Sequence, residues 1–250
     1  MSRAVLVTGA SRGIGAAVAT AFAAEGDRVA VHYGGSREAA ERVRDGLPGT
    51  GHVLVQADLT DAGQVRAMVE EAAAAALDGL DVLVNNAGVF LAHPPLETDF
   101  AAWQEAWTRT LATNLTGAAN ATFCALPHLL ARGGGAVVNV SSRGAFRGEP
   151  ECPAYGASKA GLNAFGQSMA QALAPHGITV GTVAPGFVET DMARRVLDGP
   201  RGDEVRAQSP TGRVARPEEV AAAVLWLASP AARFATGTII DVNGASYLRS

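Results

Sequence analysis

Tyr155-Gly156-Ala157-Ser158-Lys159 sets a phenol and an amine four residues apart. On a helix these positions share one face, one turn apart. A free phenol ionises near pH ~10 and carries protons poorly at neutrality. An ammonium at about 4–5 Å, in an effective dielectric near ~20, would favour the phenolate by roughly 3–4 kcal/mol. That is about 2–3 pK units and would bring Tyr155 into the range where general acid–base catalysis works. Of the 20 Lys and Arg residues, Lys159 is the only lysine. A coding bias toward arginine explains the other 19, and the exception suggests a site that needs a compact, tunable amine. Ser142 stands 13 residues before Tyr155, just past an apolar run, where its hydroxyl could bond a carbonyl or alcohol oxygen.

A second constellation is built on glycine. Thr8-Gly9-Ala10-Ser11-Arg12-Gly13-Ile14-Gly15 follows the first apolar run and leads into a helical pattern from Ala16. Glycines let backbone approach a ligand, and a helix N-terminus offers unpaired N–H groups to a phosphate. The G-x-x-x-G-x-G spacing differs from the G-x-G-x-x-G fingerprint, but its position after a strand points to a dinucleotide. The next run ends His32-Tyr33-Gly34-Gly35-Ser36-Arg37 with no acid at its tip. An acid there would bond a ribose 2′-hydroxyl, whereas arginine suits a 2′-phosphate. Arg12, Ser36 and Arg37 therefore favour NADP(H), while nearby Glu38 keeps NAD(H) as the alternative.

These groups must be positioned by a sheet. Apolar runs at 4–8, 28–33, 52–56, 82–85, 136–140, 178–183 and 238–242 alternate with helical patterns. Continuous apolar strands are buried on both faces, the mark of a parallel sheet. The fold class expected is α/β, a doubly wound parallel sheet of Rossmann type in three α/β/α layers. Asn85-Asn86-Ala87-Gly88 ends one strand, and Asn114 falls inside a helical pattern from Trp103 to Leu130, where a buried structural amide is the simple reading. Residues 189–215 lack a strand pattern and read as a substrate lid on a single domain spanning 1–250.

The 250 residues carry a net charge of −4, with 48% hydrophobic and 18% charged residues. This is a globular composition without a basic patch, so no nucleic-acid partner is expected. Cys124 and Cys152 cannot form a disulfide framework or a cysteine zinc site. No apolar run is long enough to cross a membrane, and Met1-Ser2-Arg3 lacks a signal-peptide pattern, so a cytoplasmic protein is expected. His32, His52, His93, His128 and His176 are scattered and read as surface or capping residues, with no metal site. Trp103 and Trp107 read as packing. Arg143 and Arg147, just past Ser142, suggest a mouth that favours an anionic or polar substrate.

Taken in order, Thr8 to Gly15, Asp58, Asn85 to Gly88, Asn114, Ser142, Tyr155 with Lys159, Pro185-Gly186 and Thr190 resemble the short-chain dehydrogenase/reductase family. The resemblance covers nearly the whole chain and is nearest to 3-oxoacyl-carrier-protein reductases and related carbonyl reductases. It implies that Tyr155 protonates a carbonyl oxygen as hydride arrives, or deprotonates the alcohol in reverse. Lys159 would lower the Tyr155 pKa and hold the nicotinamide ribose. Ser142 would orient the substrate, and Asn114 would hold a water in a relay to Lys159. Gly9, Ser11, Arg12, Gly13, Ile14, Gly15, Ser36 and Arg37 would bind the phosphates, and Asp58 and Leu59 would meet adenine. Asn86, Ala87 and Gly88 would line the cleft, and Pro185, Gly186, Val188 and Thr190 would complete it at the carboxamide. A small carbonyl or alcohol substrate and a homotetramer are implied. An NAD-dependent sugar, polyol or steroid-type dehydrogenase is the alternative, and a non-catalytic dinucleotide sensor a more distant one.

Overall fold

The computed structural model describes residues 2–76 and 79–249; Met1, at the start of the N-terminal run read above, lies outside them. Among the described residues the strands are β1 (Ala4–Val7), β2 (Arg28–Tyr33), β3 (Val53–Gln56), β4 (Val82–Asn85), β5 (Gly135–Val140), β6 (Ile178–Pro185) and β7 (Ile239–Val242). They form one parallel sheet in the order β3-β2-β1-β4-β5-β6-β7. Six strands match the sequence reading within about one residue at each end. β6 runs two residues further, because Ala184 and Pro185 still pair with Asp241 and Val242.

The pleat divides the apolar runs between two cores. Val5, Val7, Val29, Val31, Val82 and Val84 face one side, packed on Val18 and Phe22 of α1 (Gly13–Ala24) and Val220 and Val224 of α10 (Pro217–Leu227). Ala4, Leu6, Ala30 and Leu83 face the other, packed on Val65 and Met68 of α3 (Ala62–Glu70) and Ala121, Ala125 and Leu129 of α5 (Gly117–Ala131). α7 (Pro153–Leu173) closes that layer through Ala170 and Leu173. This period-2 division is why the central strands β1 and β4 read as nearly uninterrupted apolar sequence.

The chain reverses its winding between β1 and β4, opening a crevice at the carboxyl ends of those strands. The helical pattern around Asn114 is α4 (Phe100–Leu111) running into α5 through a widened i→i+5 turn at Ala112–Thr116. Single wide turns of this kind recur at functional sites. Segment 189–215 folds as α8 (Asp191–Leu197) and α9 (Gly202–Ala207), tied at its base by the Val188–Ala215 bridge. α2 (Arg37–Gly46) and the single turn α6 (Gly144–Arg147) complete the elements around the crevice.

Candidate active site

The cleft begins where β1 meets α1. Gly9 has φ +63°, and a Cβ on it would lie 2.8 Å from the Ala87 Cα. A Cβ on Gly15 would collide with the Gly9 carbonyl oxygen. Only glycine fits either place, so the turn packs flat against the tail of β4. Thr8 Oγ1 accepts from Asn86 N at 2.9 Å and Ala87 N at 3.1 Å, and Asn86 Nδ2 donates to the Thr8 and Gly9 carbonyls at 2.9 and 3.1 Å. α1 then starts with no side-chain cap and no acid in its first turn. By contrast, Asp61 caps α3 by accepting from Gly63 N and Gln64 N at 2.8 and 3.1 Å. α1 thus leaves its first N–H groups free for an anion. Gly9, Ser11, Arg12, Gly13, Ile14 and Gly15 all line a cleft of about 1210 Å³, beyond the roughly 300–1,000 Å³ of common small-ligand pockets.

His32 braces this end of the cleft, contrary to its reading as a surface or capping residue. It is 2% exposed. Gly9 N donates to its Nδ1 at 2.9 Å, so Nε2 carries the proton and donates to Ala57 O at 3.1 Å. One neutral ring therefore ties the glycine turn, β2 and the end of β3 together. Burial pushes its pKa below the ordinary 6.5. Ser36, Asp58 and Leu59 line the cleft beside it, and so does Arg109, which the sequence reading did not single out. Asp58 accepts from Thr60 N and Oγ1 at 2.9 and 2.8 Å, and those bonds hold its carboxyl below the usual range.

Arg37 departs from expectation. It opens α2 and donates to Glu41 at 2.9 Å, with its side chain 71% exposed and outside the cleft wall. The i,i+4 carboxylate on its own helix captures it. Glu38 likewise turns toward Arg42 at 3.7 Å, leaving no acid at the β2 tip.

At the other end, α7 carries Tyr155 and Lys159 on one face. Lys159 Nζ donates to Val140 O at 2.8 Å and lies 5.8 Å from the centre of the Tyr155 ring. Both line the cleft. Burial dominates both groups: the Tyr155 phenol is pushed up to about 12, and the Lys159 amine down to about 8. A hydrogen bond from Ser142 opposes the rise on Tyr155 without overcoming it. The expected depression of the phenol by its neighbouring amine is therefore corrected for the free protein. Desolvation penalises the phenolate more than the amine, itself desolvated, can favour it.

Asn114 is 1% exposed. Its Oδ1 accepts from Val89 N at 2.8 Å, and its Nδ2 donates to Val89 O at 3.0 Å and Ser158 Oγ at 3.1 Å. Its side chain thus pins the loop leaving β4 to α7, which goes beyond the simple buried amide. A Cβ on Gly88 would lie 3.3 Å from Asn114 Oδ1 and 3.5 Å from Lys159 Nζ, so Gly88 sits at their junction. Phe90 stands edge-on to Tyr155 with ring centres 4.8 Å apart.

His93 is a second histidine whose role the sequence concealed. Its Nε2 accepts from Ala154 N at 3.1 Å and its Nδ1–H donates to Leu91 O at 2.7 Å. It fixes the start of α7 one residue before the phenol, with Trp103 packed on it at 5.4 Å. Thr190 lines the cleft opposite Gly13. Pro185, Gly186 and Val188 do not reach the wall. Gly186 packs on Asn243, and Val188 is buried in its bridge.

Uncapped helix, glycine turn and the Tyr155–Lys159 pair share one cleft. A family model described as enoyl-(acyl carrier protein) reductase, of short-chain dehydrogenase type, matches residues 9–245. The chain belongs to the short-chain dehydrogenase/reductase family. It is 38% identical over 250 residues to the 3-oxoacyl-[acyl-carrier-protein] reductase FabG of Staphylococcus aureus, covering 99% of each chain. It is 42% identical over 245 residues to cis-4-hydroxycyclohexanecarboxylate dehydrogenase of Sinomonas cyclohexanicum, covering 97% of this chain and 95% of that one. A short-chain dehydrogenase from Burkholderia cenocepacia in complex with NADP superposes with a TM-score of 0.86 at 36% identity, covering 98% and 97% of the two chains. The protein is therefore an NAD(P)-dependent oxidoreductase acting on CH–OH or carbonyl groups. Among the described residues no helix is long and apolar enough to cross a membrane.

Proposed function

We propose that this enzyme reduces a small carbonyl compound with NADPH, or oxidises the alcohol in reverse, with Tyr155 as the proton donor to the substrate oxygen. The observation that carries the reading is the Tyr155–Lys159 pair lining the same cleft as the uncapped α1. The cradle fits a dinucleotide: the Gly9 and Gly15 positions admit no Cβ, and free N–H groups await the pyrophosphate. Gly9 to Gly15 would hold the phosphates, Asp58 and Leu59 the adenine, and Asn86 to Gly88 the cleft floor. Lys159 would hold the nicotinamide ribose, and Thr190 the carboxamide. The bound cofactor supplies the hydride.

Preference for the 2′-phosphate rests on Arg12 in the glycine turn and Ser36 past a β2 tip without an acid, since Arg37 is engaged elsewhere. Ser142 orients the oxygen and Tyr155 gives it a proton. Asn114 keeps the Val89 backbone and α7 in register beneath them. Substrate class aside, the relatives' printed names share a carbonyl or hydroxyl carbon as the reacting centre. A cytoplasmic homotetramer joined through α4, α5, α7 and the C-terminal strand belongs to this reading; exposed Phe100, Phe123 and Leu248 support such contacts. The test is NADPH consumption against a carbonyl panel with Tyr155→Phe as control. We expect kcat to fall by about 10²–10⁴ in the variant, with cofactor affinity kept. Turnover that survives the substitution would refute the assigned donor.

A further inference from the structure

The wall of the nucleotide cleft carries two arginines, Arg12 and Arg109. Among the described residues the side chain of neither forms an ion pair or a hydrogen bond. Arg12 sits in the glycine turn, where the phosphates would lie. Arg109 sits apart from it, sharing the wall with Thr108, Ala112 and Thr113, a single face of α4 and the wide turn after it. Arg143 and Arg147, expected at a substrate mouth, lie outside this wall and donate to Gln208 Oε1 at 2.6 and 3.3 Å.

What Arg109 faces sets it apart from an ordinary surface arginine. Across the cleft, Asp58 is held rigidly. Its N–H donates to Gln64 Oε1 at 2.9 Å, and its Oδ1 takes both bonds from Thr60. Its Oδ2 accepts none among the described residues. After the Thr60 bonds, the Arg109 charge also lowers the Asp58 pKa, so the two groups sense each other. Yet they form no ion pair, which leaves more than about 4 Å between them. A free carboxylate oxygen and a free guanidinium thus flank a gap, with Leu59 and Ala112 on the same wall. A flat ring that carries an amine on its edge meets both: the amine donates to the carboxylate and the ring face lies under the guanidinium.

The sheet order says which ring this is. Asp58 follows β3, and Lys159 bonds Val140 at the end of β5. In the order β3-β2-β1-β4-β5 these sites lie four strand spacings apart, about 19 Å. The uncapped α1 opens between them, after β1. A dinucleotide held there by its pyrophosphate, with nicotinamide at Tyr155, sends its other base to the gap. We propose that Arg109 is a cofactor-binding residue that stacks its guanidinium on the adenine ring, against Asp58. This rests on the dinucleotide cradle of the reading above.

The test measures dissociation constants from the fluorescence of the reduced nicotinamide, which needs no turnover. Arg109→Ala should weaken NADPH by about fivefold or more. It should leave reduced nicotinamide mononucleotide, which lacks the adenosine half, unchanged. Arg109→Lys, a point charge without a plane, should recover only part of the loss. Thermal melts of both variants should match the parent, since Arg109 is exposed. The NADPH analogue with hypoxanthine in place of adenine turns a carbonyl oxygen toward Asp58, and the parent protein should bind it several-fold more weakly.

Three results would overturn the stacking: NADPH affinity untouched by Arg109→Ala, equal losses for NADPH and the mononucleotide, or full recovery with lysine. If the parent still prefers adenine to hypoxanthine in any of these cases, the cradle stands without Arg109. A parent protein that binds no NADPH would refute the cradle and the stacking together.

Discussion

The two ends of the cleft are built on opposite terms. At the nucleotide end the working groups are backbone N–H donors, and side chains such as His32 and Asn86 spend their hydrogen bonds holding the turn in place. At the catalytic end the working groups are ionisable side chains held in a place that disfavours their charge. The first end is braced by what it buries. The second is burdened by it. Binding and chemistry therefore draw on stability with opposite sign, and substitutions at the two ends should move stability in opposite directions.

The sharpest break between them is Lys159→Met. The folded amine pKa of about 8 lies below its ordinary 10.5. The unfolded chain therefore binds the proton more tightly. The penalty on folding is full below pH 8 and fades as pH rises toward 10.5. Removing the amine should raise stability at pH 7 by about 1–3 kcal/mol, after allowing for the lost bond to Val140, while activity collapses. Denaturant melts at pH 7 and pH 10 check this; a variant that is less stable at pH 7 would erase the contrast.

His32→Ala should do the opposite at the other end. It orphans Gly9 N–H and Ala57 O at a cost of about 1–3 kcal/mol, and should raise the KM for cofactor more than it lowers kcat. The histidine is held neutral, with its pKa below 6.5. Its contribution is present above pH 6.5 and is lost as pH falls through the lowered folded value. Asparagine at this position should flatten that acid slope. A slope unchanged by His32→Asn would show that other groups set it.

The smallest effect concerns the 2′-phosphate. Arg12→Ala should raise the KM for NADPH by about tenfold, the worth of one charged hydrogen bond, and leave that for NADH nearly unchanged. Arg37→Ala should change neither by more than about twofold, as for an exposed i,i+4 pair. A larger loss at Arg37 would mean that it leaves Glu41 when cofactor binds.

The sheet was legible because its inner strands are buried on both faces and announce themselves locally; β6 alone overran its apolar run, carried by pairing with β7. The glycine turn was legible for a similar local reason. The histidine braces were not, since His32 bonds backbone groups 23 and 25 residues away and His93 reaches Ala154, 61 residues on, leaving no periodic trace. Arg37 misled because its own helix offers a carboxylate one turn away, at Glu41. The Tyr155 pKa was misjudged because helical spacing fixes a distance between charges but says nothing of the water removed around them.

The central claim, that burial lifts the Tyr155 phenol above the value for a phenol in water, has a direct test. Tyr33 and Tyr247 are the only other tyrosines, so Tyr33→Phe/Tyr247→Phe protein labelled with ¹³C at the tyrosine ring reports Tyr155 alone. Titrated by NMR without cofactor, the phenol should remain protonated past pH 10 and ionise only toward about 12. A midpoint below 10, the value for a phenol in water, would contradict the account.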